Sequence, residues 1–196
     1  MSFDIDIDVG NRDRLLELIT HTPASMDRDG TITKHNTGIY VNPIPADPLT
    51  GLCNIDYQQA EQLGYIKLDI LNVHVYNQIR DNAHLDRLLA LDPDWTRLRD
   101  PEFVTKLIHL NAHYDLLQKH FPDTMDKLAM VLALIRPSKR YLVGKTWREI
   151  AAEIWTKPAD GSYAYKRSHA TSYALLVILH MNILCEQATQ SNIKTV

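Results

Sequence analysis

The segment Asp4-Ile5-Asp6-Ile7-Asp8 alternates acid and isoleucine without interruption, a period of two that belongs to a β-strand. In that geometry all three carboxylates share one face, with successive acids roughly 6.5–7 Å apart. Like charges so placed repel one another. A chain tolerates the repulsion when a cation sits over the face, and a divalent metal with oxygen ligands is the usual one. The competing reading is a solvated edge strand kept soluble by its acids.

A second strand pattern, Tyr65-Ile66-Lys67-Leu68-Asp69-Ile70-Leu71, carries two charges in an apolar run. Their spacing of two puts Lys67 and Asp69 on the same face. Charges in such a run are paired or bind a metal, unless the strand is half exposed. If this strand lies beside the first, Asp69 joins Asp6 and Asp8 in one cluster.

With 196 residues the chain holds one sizeable core or two small lobes. A formal net charge of −3 gives no global signal for nucleic acid, so any contact with it has to be local. Cys53 and Cys185 lie far apart with no metal-ligand spacing and read as free thiols in a reducing compartment. Met1-Ser2-Phe3 runs straight into acids, without the basic start of a secretory signal, so a cytoplasmic protein is expected. The most apolar stretch, Tyr173 to Cys185, is interrupted by His180 and Asn182. It reads as a core helix rather than a membrane span.

Periodicity divides the chain. Residues 1–71 read as a mixed α/β lobe: the acidic strand, a helix from Arg12 to Thr20, a loop from His21 to Asn36, a strand at Gly38 to Val41, a short strand at Leu52 to Asp56, a helix near Tyr57 to Leu63, and the Lys67/Asp69 strand. Residues 72–196 read as helical, with helices at Val73 to Leu91, Pro101 to Phe121 (as one helix or broken near Asn111), Thr124 to Leu134, Thr146 to Trp155 and Ser168 to Gln187. The fold class is therefore α+β, a small mixed sheet followed by a helical lobe.

The helical lobe supplies positive charge. Arg136-Pro137-Ser138-Lys139-Arg140 follows one apolar helix, and Lys166-Arg167-Ser168-His169 opens the last. Guanidinium groups and a helix N-terminus suit phosphate oxygens, although two solvated basic loops would look the same. Acids that hold Mg²⁺ together with bases that hold phosphates describe phosphoryl or nucleotidyl transfer.

Five blocks resemble, in order, the C-family replicative DNA polymerases, the catalytic α subunits of bacterial polymerase III. Asp4 to Asp8 with Arg12-Asp13 is similar to that family's first catalytic segment; Lys34 to Pro43 resembles its His-containing palm strand; Asp56 to Leu71 resembles the segment with its third catalytic Asp and a Lys. Pro122-Asp123 with Leu132 to Pro137, and Tyr165 to Leu175, are similar to two nucleotide-facing segments of its fingers. The resemblance implies a nucleotidyltransferase-like palm and a fingers lobe. It implies Asp6, Asp8 and Asp69 as ligands for Mg²⁺, with Mn²⁺ as a substitute, and Lys67 as a catalytic neighbour. Arg136, Arg140, Lys166, Arg167 and His169 would bind substrate. The implied partners are a primer-template and deoxynucleoside triphosphates, with no membrane, in a bacterial cytoplasm and in keeping with a phage origin.

Departures from the family shape the expectations. The chain starts at the acids, where the family has a Gly-Ser-rich phosphate loop, so a second chain is a candidate source of triphosphate-binding or processivity elements. Ser138 stands where the family has Gly, and Arg167 where it has Lys. Two alternatives stay open: a catalytically inactive polymerase-derived module that binds a replication protein, and an untemplated nucleotidyltransferase. His109 and His113, four apart, read as ordinary helical histidines or minor-groove contacts, since Leu110 replaces the metalloprotease Glu.

Overall fold

A computed structural model of the chain describes residues 5–157 and 165–194, and divides into two compact units, Met1–Ile79 and Arg80–Val196. Asp4, the first acid of the triplet, lies outside the described residues.

The first unit is built on a four-stranded mixed sheet of β1 (Ile5–Val9), β2 (Thr22–Arg28), β3 (Thr31–Tyr40) and β4 (Leu68–Asn72), in the order β1-β4-β3-β2. β1 and β4 run parallel, while β3 is antiparallel to both its neighbours. A parallel pair needs a long crossover. Here it contains α1 (Arg12–Leu18), the β2–β3 hairpin and α2 (Tyr57–Gln62). α1 starts at Asn11, whose side chain accepts from the Arg14 amide at 3.0 Å. α2 starts at Asp56, which accepts from the Gln58 and Gln59 amides. Tyr40, Ala24, Cys53 and Ala60 form a small core.

Two expectations for this unit are corrected. The loop from His21 to Asn36 is the β2–β3 hairpin, closed by Asp29 and Gly30 at φ 53° and 83°. An Asp-Gly pair with both residues at positive φ is the favoured two-residue hairpin turn. The hairpin reaches beyond the core, so its strands need no apolar run and look like loop in composition. The strand at Leu52 to Asp56 is absent. Only isolated bridges, Ser25 to Asp56 and Ala46 to Cys53, mark it.

The second unit is helical: α3 (Asn82–Leu89), α4 (Pro101–Val104), α5 (Tyr114–Lys119), α6 (Met125–Leu134), α7 (Trp147–Glu153) and α8 (Arg167–Lys194). α6 packs against α8, and Leu128, Leu132, Ala174 and Val177 belong to a core that also takes in Leu107, Leu117 and Ile150. α8 is long and apolar enough by composition to cross a bilayer, but 56% of that apolar window is buried within the protein. Its apolarity serves the core.

Local chemistry sets the helix ends. Asp100 accepts from the Glu102 and Phe103 amides ahead of Pro101, and Thr146 with Glu149 forms a capping box on α7. At the other end of α7 the buried Lys139 donates to the Glu153 and Thr156 carbonyls, each at 2.8 Å. The helix expected from Val73 to Leu91 is a 3₁₀ turn at His74–Gln78 followed by α3, with Asp81 capping the new start. The stretch from Pro101 to Phe121 takes the form broken around Asn111, though with much less helix than expected: it holds only α4 and α5, separated by turns in which His109 adopts φ 62°. A left-handed residue at 109 bars one continuous right-handed helix across 101–121.

Glu186 on α8 gathers Arg80, Arg87 and His84. Chiefly the hydrogen bond from Arg87 holds its carboxyl well below the usual range, at about 2. A carboxylate whose pKa falls on folding stabilises the protein above its unfolded value and loses that contribution as pH drops through the folded one. Glu186→Gln is therefore expected to lower stability at pH 7, with the gap to wild type closing between about pH 4.5 and pH 2. Urea unfolding across this range measures it. A pH-independent gap would show that the cluster does not carry the effect.

Candidate functional site

Parallel pairing of β1 with β4 sets Asp6 opposite Asp69 and Asp8 opposite Leu71. Partners in register point to the same side of a sheet, and neighbouring strands lie about 4.8 Å apart. Asp6, Asp8 and Asp69 thus share one face, with Ile5, Ile7 and Ile70 on the other. Burial, and then the neighbouring Asp6 charge, raise the Asp8 carboxyl above its ordinary pKa. The repulsion inferred from the alternation acts on Asp8 in the fold.

Asp69 is the buried acid of the three and is held from two sides. The Thr37 hydroxyl donates to its Oδ1 at 2.7 Å, and Lys67 Nζ donates to its Oδ2. His35 Nδ1 lies 3.7 Å from Oδ1, but that nitrogen already accepts from the Gly38 amide at 2.9 Å and the Thr37 amide at 3.3 Å. It carries no proton to share with the carboxylate. Burial first, then Lys67, lower the His35 pKa against the opposing pull of Asp69, in keeping with a neutral ring.

Gly38 pairs with Asp69 across β3 and β4. A Cβ there would stand 2.8 Å from Lys67 Cδ, 2.9 Å from His35 Nδ1 and 3.0 Å from the Ala24 methyl. Glycine at this position leaves room for the lysine stem to lie against β3 while its amine reaches the acid. Arg12 Nε donates to the Ile70 carbonyl at 3.1 Å, fixing α1 to β4.

Carboxylate oxygens are the right donors for a hard divalent cation. Among the described residues, no three acids, histidines or cysteines already converge as a metal cage. Asp6 and Asp69 are nevertheless cross-strand neighbours, and Asp8 follows on the same face. Thr37 and Lys67 take up one Asp69 oxygen each.

In the second unit the basic segments separate. Arg136 lays its guanidinium 4.4 Å from the centre of the Tyr165 ring and lines a cavity of about 270 Å³ with His109, Asn111, His113, Tyr165 and Tyr173. A second recess of about 450 Å³ shares His113 and Ile135 with it and adds Arg140, Lys119 and Asp115. The His109 and Tyr173 rings lie 4.6 Å apart. Lys166, Arg167 and His169 line neither cavity. Arg167 is exposed and faces Asp126 at 3.6 Å.

Structure therefore joins Arg136 and Arg140 through His113, and brings Tyr165 and Tyr173 from around the start of α8 to Arg136, while the Lys166, Arg167 and His169 side chains are not part of either lining. It also recruits His109, Asn111, Tyr165 and Tyr173. The histidines are not helical, contrary to expectation: both lie at the break between α4 and α5, with His113 at the start of α5. Their spacing was visible, but the turn that brings them to Arg136 has no motif of its own. No protein-family model matches this chain, and no curated protein matches it.

Proposed function

We propose that this chain is a compact DNA-directed nucleotidyltransferase of the C-family polymerase type. The observation that carries the reading is the pairing of Asp6 with Asp69 in register, with Asp8 on the same face and Lys67 bound to Asp69. Surface acids kept only for solubility have no need of a buried member fixed by Thr37 and Lys67.

Asp6, Asp8 and Asp69 would hold two Mg²⁺ ions, which lower the pKa of an attacking primer hydroxyl and stabilise a departing pyrophosphate. Thr37 fixes the Asp69 carboxylate in one orientation, and Lys67 balances its charge until substrate arrives. Neutral His35 props the backbone at Thr37 and Gly38, which keeps that orientation. In the other unit Arg136, oriented by the Tyr165 ring, offers a guanidinium fork for phosphate oxygens. Arg140 adds charge along the adjoining recess.

Primer extension with Mg²⁺ or Mn²⁺ and all four deoxynucleoside triphosphates tests the proposal. Slow, distributive and strongly salt-sensitive incorporation is expected, because phosphate contacts supply the grip on DNA. Arg136→Ala is expected to weaken triphosphate binding by about 1.5–3 kcal/mol, the worth of a hydrogen bond to a charged group. No incorporation by folded protein at low salt with Mn²⁺ would sink catalysis by this chain alone, in favour of an inactive module or of a complex that needs a second chain. Incorporation without a template would select untemplated transfer.

A further inference from the structure

We propose that the cavity bounded by His109, His113, Arg136, Tyr165 and Tyr173 receives the phosphate tail of a nucleotide, and that His109 and His113 take up protons as it binds. The inference rests on the reading of Arg136 as a triphosphate contact and adds the histidines as linked acid–base partners. At about 270 Å³ the cavity is below the range of roughly 300–1,000 Å³ usual for organic ligands, which suits phosphate groups better than a whole nucleotide.

Its lining residues include N–H donors: the Arg136 guanidinium, the Asn111 amide and two imidazoles. The left-handed backbone of His109, uncommon for a residue other than glycine, turns the chain where its ring meets Tyr173. Strained backbone of this kind concentrates at ligand sites.

Charge in the cavity makes the proton linkage. Arg136 faces both histidines and Arg140 faces His113; Lys119 and Asp115 share the neighbouring recess with His113, and Tyr165 and Tyr173 close the wall. His180, reaching from α8, accepts from the Ile108 amide and so adds no positive charge beside His109. The pKa of both histidines is lowered, by burial and then by the arginines; since His109 remains exposed to solvent, Arg136 in the shared cavity is the influence common to both, and Arg140 adds to it at His113. An arriving phosphate cancels the arginine field and accepts hydrogen bonds best from protonated rings. Both effects raise the histidine pKa values, so phosphate affinity rises as pH falls.

Sulfate is a suitable probe, since it is a tetrahedral dianion that does not itself titrate near neutral pH. In the full chain, NMR titration of the histidine rings from pH 5 to 8.5, with and without sulfate, should show His109 and His113 moving to higher pKa when sulfate binds. His35, in the other unit, should not move. Sulfate affinity should weaken by up to about tenfold per pH unit for each linked proton as pH rises through the bound-state values. His113→Gln, and His109→Asn, whose asparagine tolerates the left-handed backbone, should flatten this dependence while Arg136→Ala abolishes binding.

Sulfate binding that leaves both histidine titrations unchanged would overturn the linkage, and displacement of sulfate by a DNA strand but not by dATP would overturn the assignment to a nucleotide tail. These readouts need neither metal nor primer. Incorporation without histidine linkage thus refutes this inference alone, whereas linkage without incorporation refutes the catalytic reading alone.

Discussion

Asp8→Ala is expected to reduce primer extension by at least about a hundredfold while leaving DNA binding intact. Losing a residue that merely supports a metal ligand already costs some 10–100-fold, and Asp8 is read as a ligand itself. Burial and the Asp6 charge raise its pKa, so replacing it by alanine removes a disfavoured charge from that face. The variant should consequently fold at least as well as wild type, and a loss of activity would belong to the chemistry. Extension assays paired with DNA binding at one salt concentration measure the split. Retained extension would remove Asp8 from the mechanism, and loss of both readouts would assign it to DNA binding.

Mg²⁺ or Mn²⁺ is expected to raise the melting temperature, because a cation that binds only the folded acids stabilises them by mass action. At a hundredfold excess over its Kd the gain is about 2.7 kcal/mol, or roughly 5–10 °C for a chain of this size. Asp6→Asn combined with Asp69→Asn should abolish the rise. Asp6→Asn alone, which keeps the Lys67 and Thr37 contacts to Asp69, should reduce it. The effect should also shrink as pH falls toward the raised pKa of Asp8, since a protonated carboxyl is a poor ligand. Thermal melts across metal concentration and pH record all three trends. An undiminished rise in the double variant would place the cation elsewhere on the protein.

An inactive binding module would keep the acids without metal linkage, so these two experiments also separate the readings. Tight Mg²⁺ linkage together with absent incorporation points to a catalytic unit that lacks a second chain. Absence of both returns the acidic face to a solubility role.

Several local features were legible in the chain. The Asp-Ile alternation gives β1, the Lys67/Asp69 pair gives β4, and Asp100-Pro101, Thr124 and Thr146 mark helix starts through hydrogen bonds made within a turn. Asp29-Gly30 was equally legible as a hairpin turn, but its polar flanks disguised it as loop. Patterns like these carry their cause within a few residues, which is why sequence alone determines them.

Parallel register is a different matter, because it joins residues 60 or more positions apart and no local pattern encodes it. Only the fold decides that Asp6 meets Asp69, that Gly38 opens the path for Lys67, and that Thr37 secures the buried carboxylate. The cavity at Arg136 likewise depends on His109 leaving the helical region and on Tyr165 and Tyr173 arriving from a distant part of the chain. Sequence determined which residues carry charge and where the elements start. Tertiary packing decided which charges share a face or a cavity, because long-range contact depends on the whole core and not on its neighbours in the chain.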